Sequence, residues 1–222
     1  VASFAADSRR LDLIIKSVRL FLLILFCILP VALLAQEDFS AEIVNHRQGE
    51  QDKTPAKIYV TKNKLRVEST GRNGQAAAIL IDFATQTTDM LMTAQNMYME
   101  FPAGKGPGAQ RFNAFFRPTD VENACGEWQK LATNQGGECH KVGNETVNGR
   151  NTVKYEGKSV NGDTSAVWLD PKIAFPVKWE GKNGGGELQN IQVGSLSSSL
   201  FEVPAGYRKM EMPAGMPNMQ PH

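Results

Sequence analysis

The side chains most able to do chemistry in this chain carry sulfur. Its eight methionines fall into two groups, Met90, Met92, Met97 and Met99, then Met210, Met212, Met216 and Met219. In the first group, spacing by two puts Met90 and Met92 on one face of a strand and Met97 and Met99 on one face of the next. A four-residue connection, Thr93-Ala94-Gln95-Asn96, sets Met92 opposite Met97 and Met90 opposite Met99. Unbranched, polarizable thioethers form a soft, adaptable apolar surface suited to acyl chains. The same stripe also describes ordinary core packing, since apolar residues at strand period usually face a core. The second group precedes His222 and offers soft ligands of the kind that bind Cu(I). Its Met/Pro/Gly-rich setting reads as a disordered tail over 210–222, and no metal or other cofactor is assigned.

Cysteine is the second sulfur chemistry. Cys27 lies in an apolar leader, which leaves Cys125 and Cys139 as an even pair, and in an oxidising compartment such a pair favours a disulfide. The alternative, a metal pair with His140, matches no strong zinc spacing. Three aromatic residues, Phe112, Phe115 and Phe116, follow a Gly/Pro-rich stretch. They serve either as a lid over an apolar cavity, as a greasy contact, or as packing on the sheet. Together with the four hairpin methionines they make the candidate ligand-binding set.

Catalysis finds little support. His46, His140 and His222 are scattered and lack metal spacing. Gly194 to Ser199 is not the Gly-x-Ser-x-Gly of a nucleophile elbow. Gly104 to Gly108 lacks the Lys-Ser/Thr of a phosphate-binding loop. A non-enzymatic protein is the expectation. A formal net charge of +1 and no basic stripe speak against a nucleic-acid partner.

These residues need elements to position them. Arg9, Arg10, Lys16 and Arg19 precede an uncharged apolar run, Leu20 to Ala35, interrupted by Pro30. A basic region, a short apolar core and a small-residue exit describe a secretory signal over 1–35, cleaved near Ala35. The run is short of the roughly 20 residues of a membrane span, so the processed protein is expected to be periplasmic or secreted and not integral to a membrane. What remains, with 20 basic and 21 acidic residues, suits one domain over 36–209.

That domain reads as strands between Gly, Asn and Asp turns. Ile58 and Val60, Leu65 and Val67, and Ile79, Ile81 and Phe83 alternate with their neighbours. Thr87 to Met92 and Met97 to Phe101 form a hairpin. Residues 102–118 read as a loop, and Asp120 as the N-cap of a helix over Val121 to Ala132. Asn148-Gly149 and Asn161-Gly162-Asp163 are turns. Gly184-Gly185-Gly186 is read as preceding a strand from Leu188 to Val193, and Ser197 to Phe201 as a short helix. The alternation suits an antiparallel sheet with one buried face.

In the second half, Val167-Trp168-Leu169-Asp170-Pro171 is followed by Phe175-Pro176-Val177-Lys178-Trp179-Glu180, then Asn190-Ile191, then Phe201-Glu202-Val203-Pro204-Ala205-Gly206-Tyr207. With Ile58-Tyr59-Val60, Leu65-Arg66-Val67 and Ile79 to Asp82 in the first half, this order resembles the LolA/LolB-like periplasmic lipoprotein-carrier superfamily, in an uncharacterised branch of it. The resemblance spans roughly residues 38–209. It implies a mainly β fold with minor α, a curved antiparallel half-barrel with helices on its concave face. Carriers of this type hold acyl chains between sheet and helices. No functional residue transfers, and the cysteine pair and the Gly/Pro-rich stretch depart from the carriers. The leading expectation is a protein binding a hydrophobic small molecule, a lipid or lipoprotein acyl chains. The alternative is an envelope protein-interaction or structural module with no cavity ligand.

Overall fold

A computed structural model describes residues 37–47, 50–51, 55–71, 74–102, 115–131 and 137–211. The leader, Phe112 and the tail beyond Glu211 lie outside the described residues. The described strands are β1 (Phe39–Arg47), β2 (Glu50–Gln51), β3 (Ala56–Val60), β4 (Lys64–Thr70), β5 (Ala76–Asp82), β6 (Thr87–Met92), β7 (Met97–Phe101), β8 (Glu138–Val147), β9 (Arg150–Lys158), β10 (Thr164–Asp170), β11 (Phe175–Gly181), β12 (Gly184–Val193) and β13 (Arg208–Lys209). A single described helix, α1 (Ala124–Leu131), falls between β7 and β8.

The strands form one open, curved sheet in the order β13-β7-β6-β5-β4-β3-β1-β12-β11-β10-β9-β8, with β2 paired to β1. Every pairing is antiparallel except β13 on β7. Hairpins make most of the neighbours, so strand order follows chain order within each half. The exception is β1, which joins β3 to β12 and brings the two halves together.

The concave face holds the main core. Phe39, Ile58, Val60, Leu65, Leu169, Phe175, Val177 and Leu188 are essentially sealed from solvent. They come from strands in both halves of the sheet, at the alternate positions that period-2 patterning requires. Helix α1 and the Phe115–Phe116 segment cover this part of the face. The helix is eight residues long, too short to persist without its packing. Tyr155 of β9 donates from its hydroxyl to the carbonyl of Val121 at 2.6 Å, fixing the approach to the helix. Cys125 is bonded to Cys139, with Cα atoms 5.6 Å apart, clipping α1 to β8.

Two element bounds differ from the sequence reading. The helix starts at Ala124, not Val121. Asp120 uses its Oδ1 to accept from Glu122 N–H within a preceding turn, and the first helical bond runs from Glu127 N–H to the Asn123 carbonyl. The glycine triplet 184–186 lies inside β12 rather than ahead of it. A Cβ on Gly186 would stand 2.5 Å from Trp179 Cζ2 and 2.8 Å from the Val44 carbonyl oxygen. Gly186 makes room for the Trp179 indole, and Gly185 for the Trp179 carbonyl and the His46 ring. The Asn190-Ile191 pair marks a bulge, where the β1–β12 register shifts and Asn190 adopts φ 52°. A short polar side chain tolerates that left-handed geometry.

Candidate functional site

The sheet's concave face has two unlike parts. Over β9 to β12, it is closed by rings. Phe39 meets Phe175 at 5.3 Å between centroids, Phe116 meets Trp179 at 4.9 Å, and Phe115 lies 6.2 Å from Trp128, which in turn meets Tyr155 at 5.7 Å. The Phe115–Trp128 pair is stacked and the other three are edge-to-face, both arrangements that fix ring orientations. Phe116 is buried in this core and Phe115 is partly buried against it.

Toward the other end of the strand order the surface changes to sulfur. The β6–β7 hairpin places Met90 directly opposite Met99 and Met92 opposite Met97. Its turn is the Thr93–Gln95 3-10 turn closed by Asn96 in the left-handed conformation. Pairing of β5 with β6 puts Ile79 beside Met90 and Ala77 beside Met92. Ile79 packs on the main core, so all four methionines lie on the concave face. Each is only partly buried, and none belongs to the packed core cluster. The ladder thus extends the apolar face beyond the region the rings close.

The row between ladder and turn is Ile81, Thr88 and Phe101. Thr88 is buried, and its hydroxyl has no hydrogen-bond partner. The indole N–H groups of Trp128 and Trp179 are likewise buried without an acceptor. Sequence patterning did not single out these donors, because burial without a partner is a property of the assembled face.

The ladder strands are braced from behind. Ala78, Leu80 and Leu91, on the convex face, form a second cluster with Tyr98, Val203 and Tyr207. Arg208 N–H donates to the Asn96 carbonyl at 2.9 Å, and Met210 N–H to the Tyr98 carbonyl at 2.8 Å. Lys209 pairs with Glu100 at 3.0 Å. Asp89 sits beside them with Oδ1 buried and unpartnered. Burial foremost, then the nearby Glu100 carboxylate, raise its pKa above the usual carboxylate value, and Lys209 partly offsets this.

At the turn end of β5 and β6 a cleft of about 400 Å³ is lined by Lys62, Asn63, Phe83, Ala84, Arg117, Pro118, Thr119, Asp120 and Ala174. These come from four separate stretches of chain; the sequence reading takes Phe83 as a strand position and Asp120 as a helix cap, and assigns none of the nine to a site. Among the described residues there is no cluster of three His, Cys, Asp or Glu able to hold a metal. His140 is exposed and lies 3.8 Å from Glu156.

No family model matches the chain, and no curated protein matches it in sequence. Solved structures do match in shape. An uncharacterized conserved protein from Thermus thermophilus superposes with TM-score 0.51 and 10% identity, covering 80% of this chain and 91% of that one. That likeness shows the fold. PNGF-II matches with TM-score 0.47 and 12% identity over 80% of this chain but 31% of its own. A proposed outer-membrane lipoprotein-sorting domain from Vibrio parahaemolyticus matches with TM-score 0.34 and 13% identity, over 74% of this chain and 89% of that one. The disulfide fits an oxidising compartment. Among the described residues, no helix is long and apolar enough to cross a membrane.

Proposed function

We propose that this is an exported, non-enzymatic protein that binds a hydrophobic ligand, a lipid or the acyl chains of a lipoprotein, on the concave face of its half-barrel. The observation that carries the reading is the methionine ladder: four thioethers paired across β6 and β7, on the core side of the sheet, outside the packed core and partly open. A ladder serving only as core would be sealed like Leu65 or Leu169. Thioether side chains adapt to an alkyl chain without a fixed shape, and the rigid aromatic end supplies a wall against which such a chain can stop. The resemblance to lipoprotein carriers points the same way, and the paired cysteines suit a periplasmic or secreted setting.

Native mass spectrometry with lipid extraction tests this on the chain exported with its own leader and purified from the periplasm. Co-purifying lipid that is lost in Met92→Gln/Met97→Gln, with folding kept, is the expected result. An empty protein, and no uptake of a neutral fluorescent apolar probe, would overturn it.

A second reading rests on the sheet's edge. Strand β8 pairs only with β9 among the described strands and carries Val142, 49% exposed. An open edge of this kind accepts an added strand from a protein partner. Crosslinking from position 142 to another envelope protein, in a ligand-free molecule, would favour it.

A further inference from the structure

The cleft at the turn end of the sheet has a chemistry of its own. Its walls are already built. Thr119 N–H donates to the Ala174 carbonyl at 2.8 Å, and Phe83 N–H to the Asn63 carbonyl at 2.8 Å, joining all four contributing segments in pairs. Arg117 lies over the Phe83 ring, its guanidinium carbon 5.7 Å from the centroid. Its Nε is buried and has no hydrogen-bond partner, and its guanidinium makes no ion pair among the described residues. Lys62 is exposed on the same cleft and is likewise unpaired among them. The one carboxylate of the lining, Asp120, is engaged with the Glu122 N–H. Apolar lining comes from Phe83, Ala84, Pro118 and Ala174.

A buried N–H without an acceptor bears its full desolvation cost until a ligand supplies one. A planar guanidinium laid on an aromatic face keeps its fork of donors in a fixed plane, which matches phosphate oxygens better than a flexible ammonium does. Two unpaired cations beside apolar walls call for an anion attached to an apolar body. We infer that this cleft binds a phosphate group, with Arg117 as its principal partner, Lys62 as the second, and the apolar walls receiving whatever the phosphate is attached to. The phosphate belongs to a lipid headgroup or is free in solution, and the two sources differ in whether the apolar walls are used. The site stands apart from the methionine ladder, because the Phe83–Gln86 turn and Met92 lie at opposite ends of β6.

Calorimetric titration of the full chain with dihexanoyl phosphatidic acid, and separately with inorganic phosphate, tests the assignment. Arg117→Gln should weaken binding by about tenfold or more, as loss of a charge-assisted hydrogen bond does. Lys62→Gln, at an exposed position, should weaken it about threefold. Arg117→Lys should fall between wild type and Arg117→Gln, and added salt should weaken binding throughout. Phosphatidic acid binding with this dependence, and no inorganic phosphate binding, assigns a headgroup. Inorganic phosphate binding equally well, with the same dependence, assigns free phosphate. Binding of neither, or equal binding by wild type and a folded Arg117→Gln, overturns the inference. Should Arg117→Gln fail to fold, unchanged binding by Lys62→Gln overturns it instead. Binding lost in Met92→Gln/Met97→Gln but kept in Arg117→Gln would move the amphiphile to the ladder and remove it from the cleft.

Discussion

Met92 and Met97 face each other across β6 and β7, so replacing both by Gln changes one rung of the ladder and nothing on the convex side. Burying a Met side chain fully is worth about 1.5–3 kcal/mol. Both residues are partly buried in the folded chain, so folding already uses most of that, and roughly a third stays open to a ligand. The pair then offers a ligand about 1–2 kcal/mol. An amide left against an alkyl chain without a hydrogen-bond partner costs about 1–3 kcal/mol more. The double variant should therefore bind a neutral apolar probe about thirtyfold more weakly, or worse. Its folding should suffer by only about 1–2 kcal/mol, because the Gln stem keeps two methylenes on the sheet and its head can reach solvent. Leu91→Ala is the counter-experiment. Leu91 is sealed in the convex cluster, between Ala78 and Tyr98 on the neighbouring strands, so truncation should cost about 2–5 kcal/mol of stability and leave probe affinity of the folded fraction unchanged. Fluorescence titration and urea unfolding of the three proteins read both quantities. A rung variant that folds and binds the probe as wild type does would refute the assignment of the ladder as a ligand surface.

Three other outcomes follow from the structure. Cys125→Ser/Cys139→Ser should lower stability by roughly 3 kcal/mol, from the loop-closure entropy of a crosslink of this span. Reductant should shift the urea midpoint of wild type toward that of the variant and leave the variant unmoved. Asp89 holds its proton more tightly folded than unfolded. The stability this gives is full below the ordinary carboxylate value of 3.8 and is lost as pH rises through the raised folded value. Asp89→Asn, which cannot ionise, should melt higher than wild type near neutral pH, with the gap closing on acidification; a gap independent of pH would contradict this. Gly186→Ala should cost about 1–3 kcal/mol, since its Cβ would press on the Trp179 indole and the Val44 carbonyl together, and near-UV circular dichroism should report the displaced tryptophan.

Much of this arrangement is legible in the residues. The β6–β7 register follows from period-2 alternation and a four-residue connection, because both are local properties. The same holds for the Asn148-Gly149 turn, whose two positive φ values, 49° and 76°, suit those residue types. The cysteine pair is readable from compartment and count. Gly184 to Gly186 misleads because composition alone does not separate a glycine needed for a turn from one needed for close approach, and the approaching group, Trp179, belongs to another strand. Asp120 looks like a helix cap because its type is right for one; it opens a turn three residues early. The convex cluster has a signal that alternation alone passes over: β5 reads Ala-Ala-Ala-Ile-Leu-Ile-Asp, apolar on both faces, which a strand covered on one side only does not need. The cleft around Arg117 leaves no local trace, since its walls come together only when the sheet forms.

The placement of the fixed and the soft parts bears on how a ligand could be admitted. The disulfide and the aromatic run lie over the β8–β12 half, whereas the methionines lie on β6 and β7, toward the opposite end of the strand order. The ladder's backbone is held from behind by Val203 and Tyr207 and by the hydrogen bonds to Asn96 and Tyr98. A ligand settling on the ladder therefore meets a stiff backbone bearing flexible side chains, and accommodation falls to thioether rotamers rather than to strand movement. Helix α1, tied to β8 through Cys125, has no need to leave the sheet for this to happen. Cutting the disulfide should accordingly lower stability while leaving apolar-probe affinity of the folded protein intact. A large loss of affinity on reduction would instead place the ligand beneath the helix, among the rings.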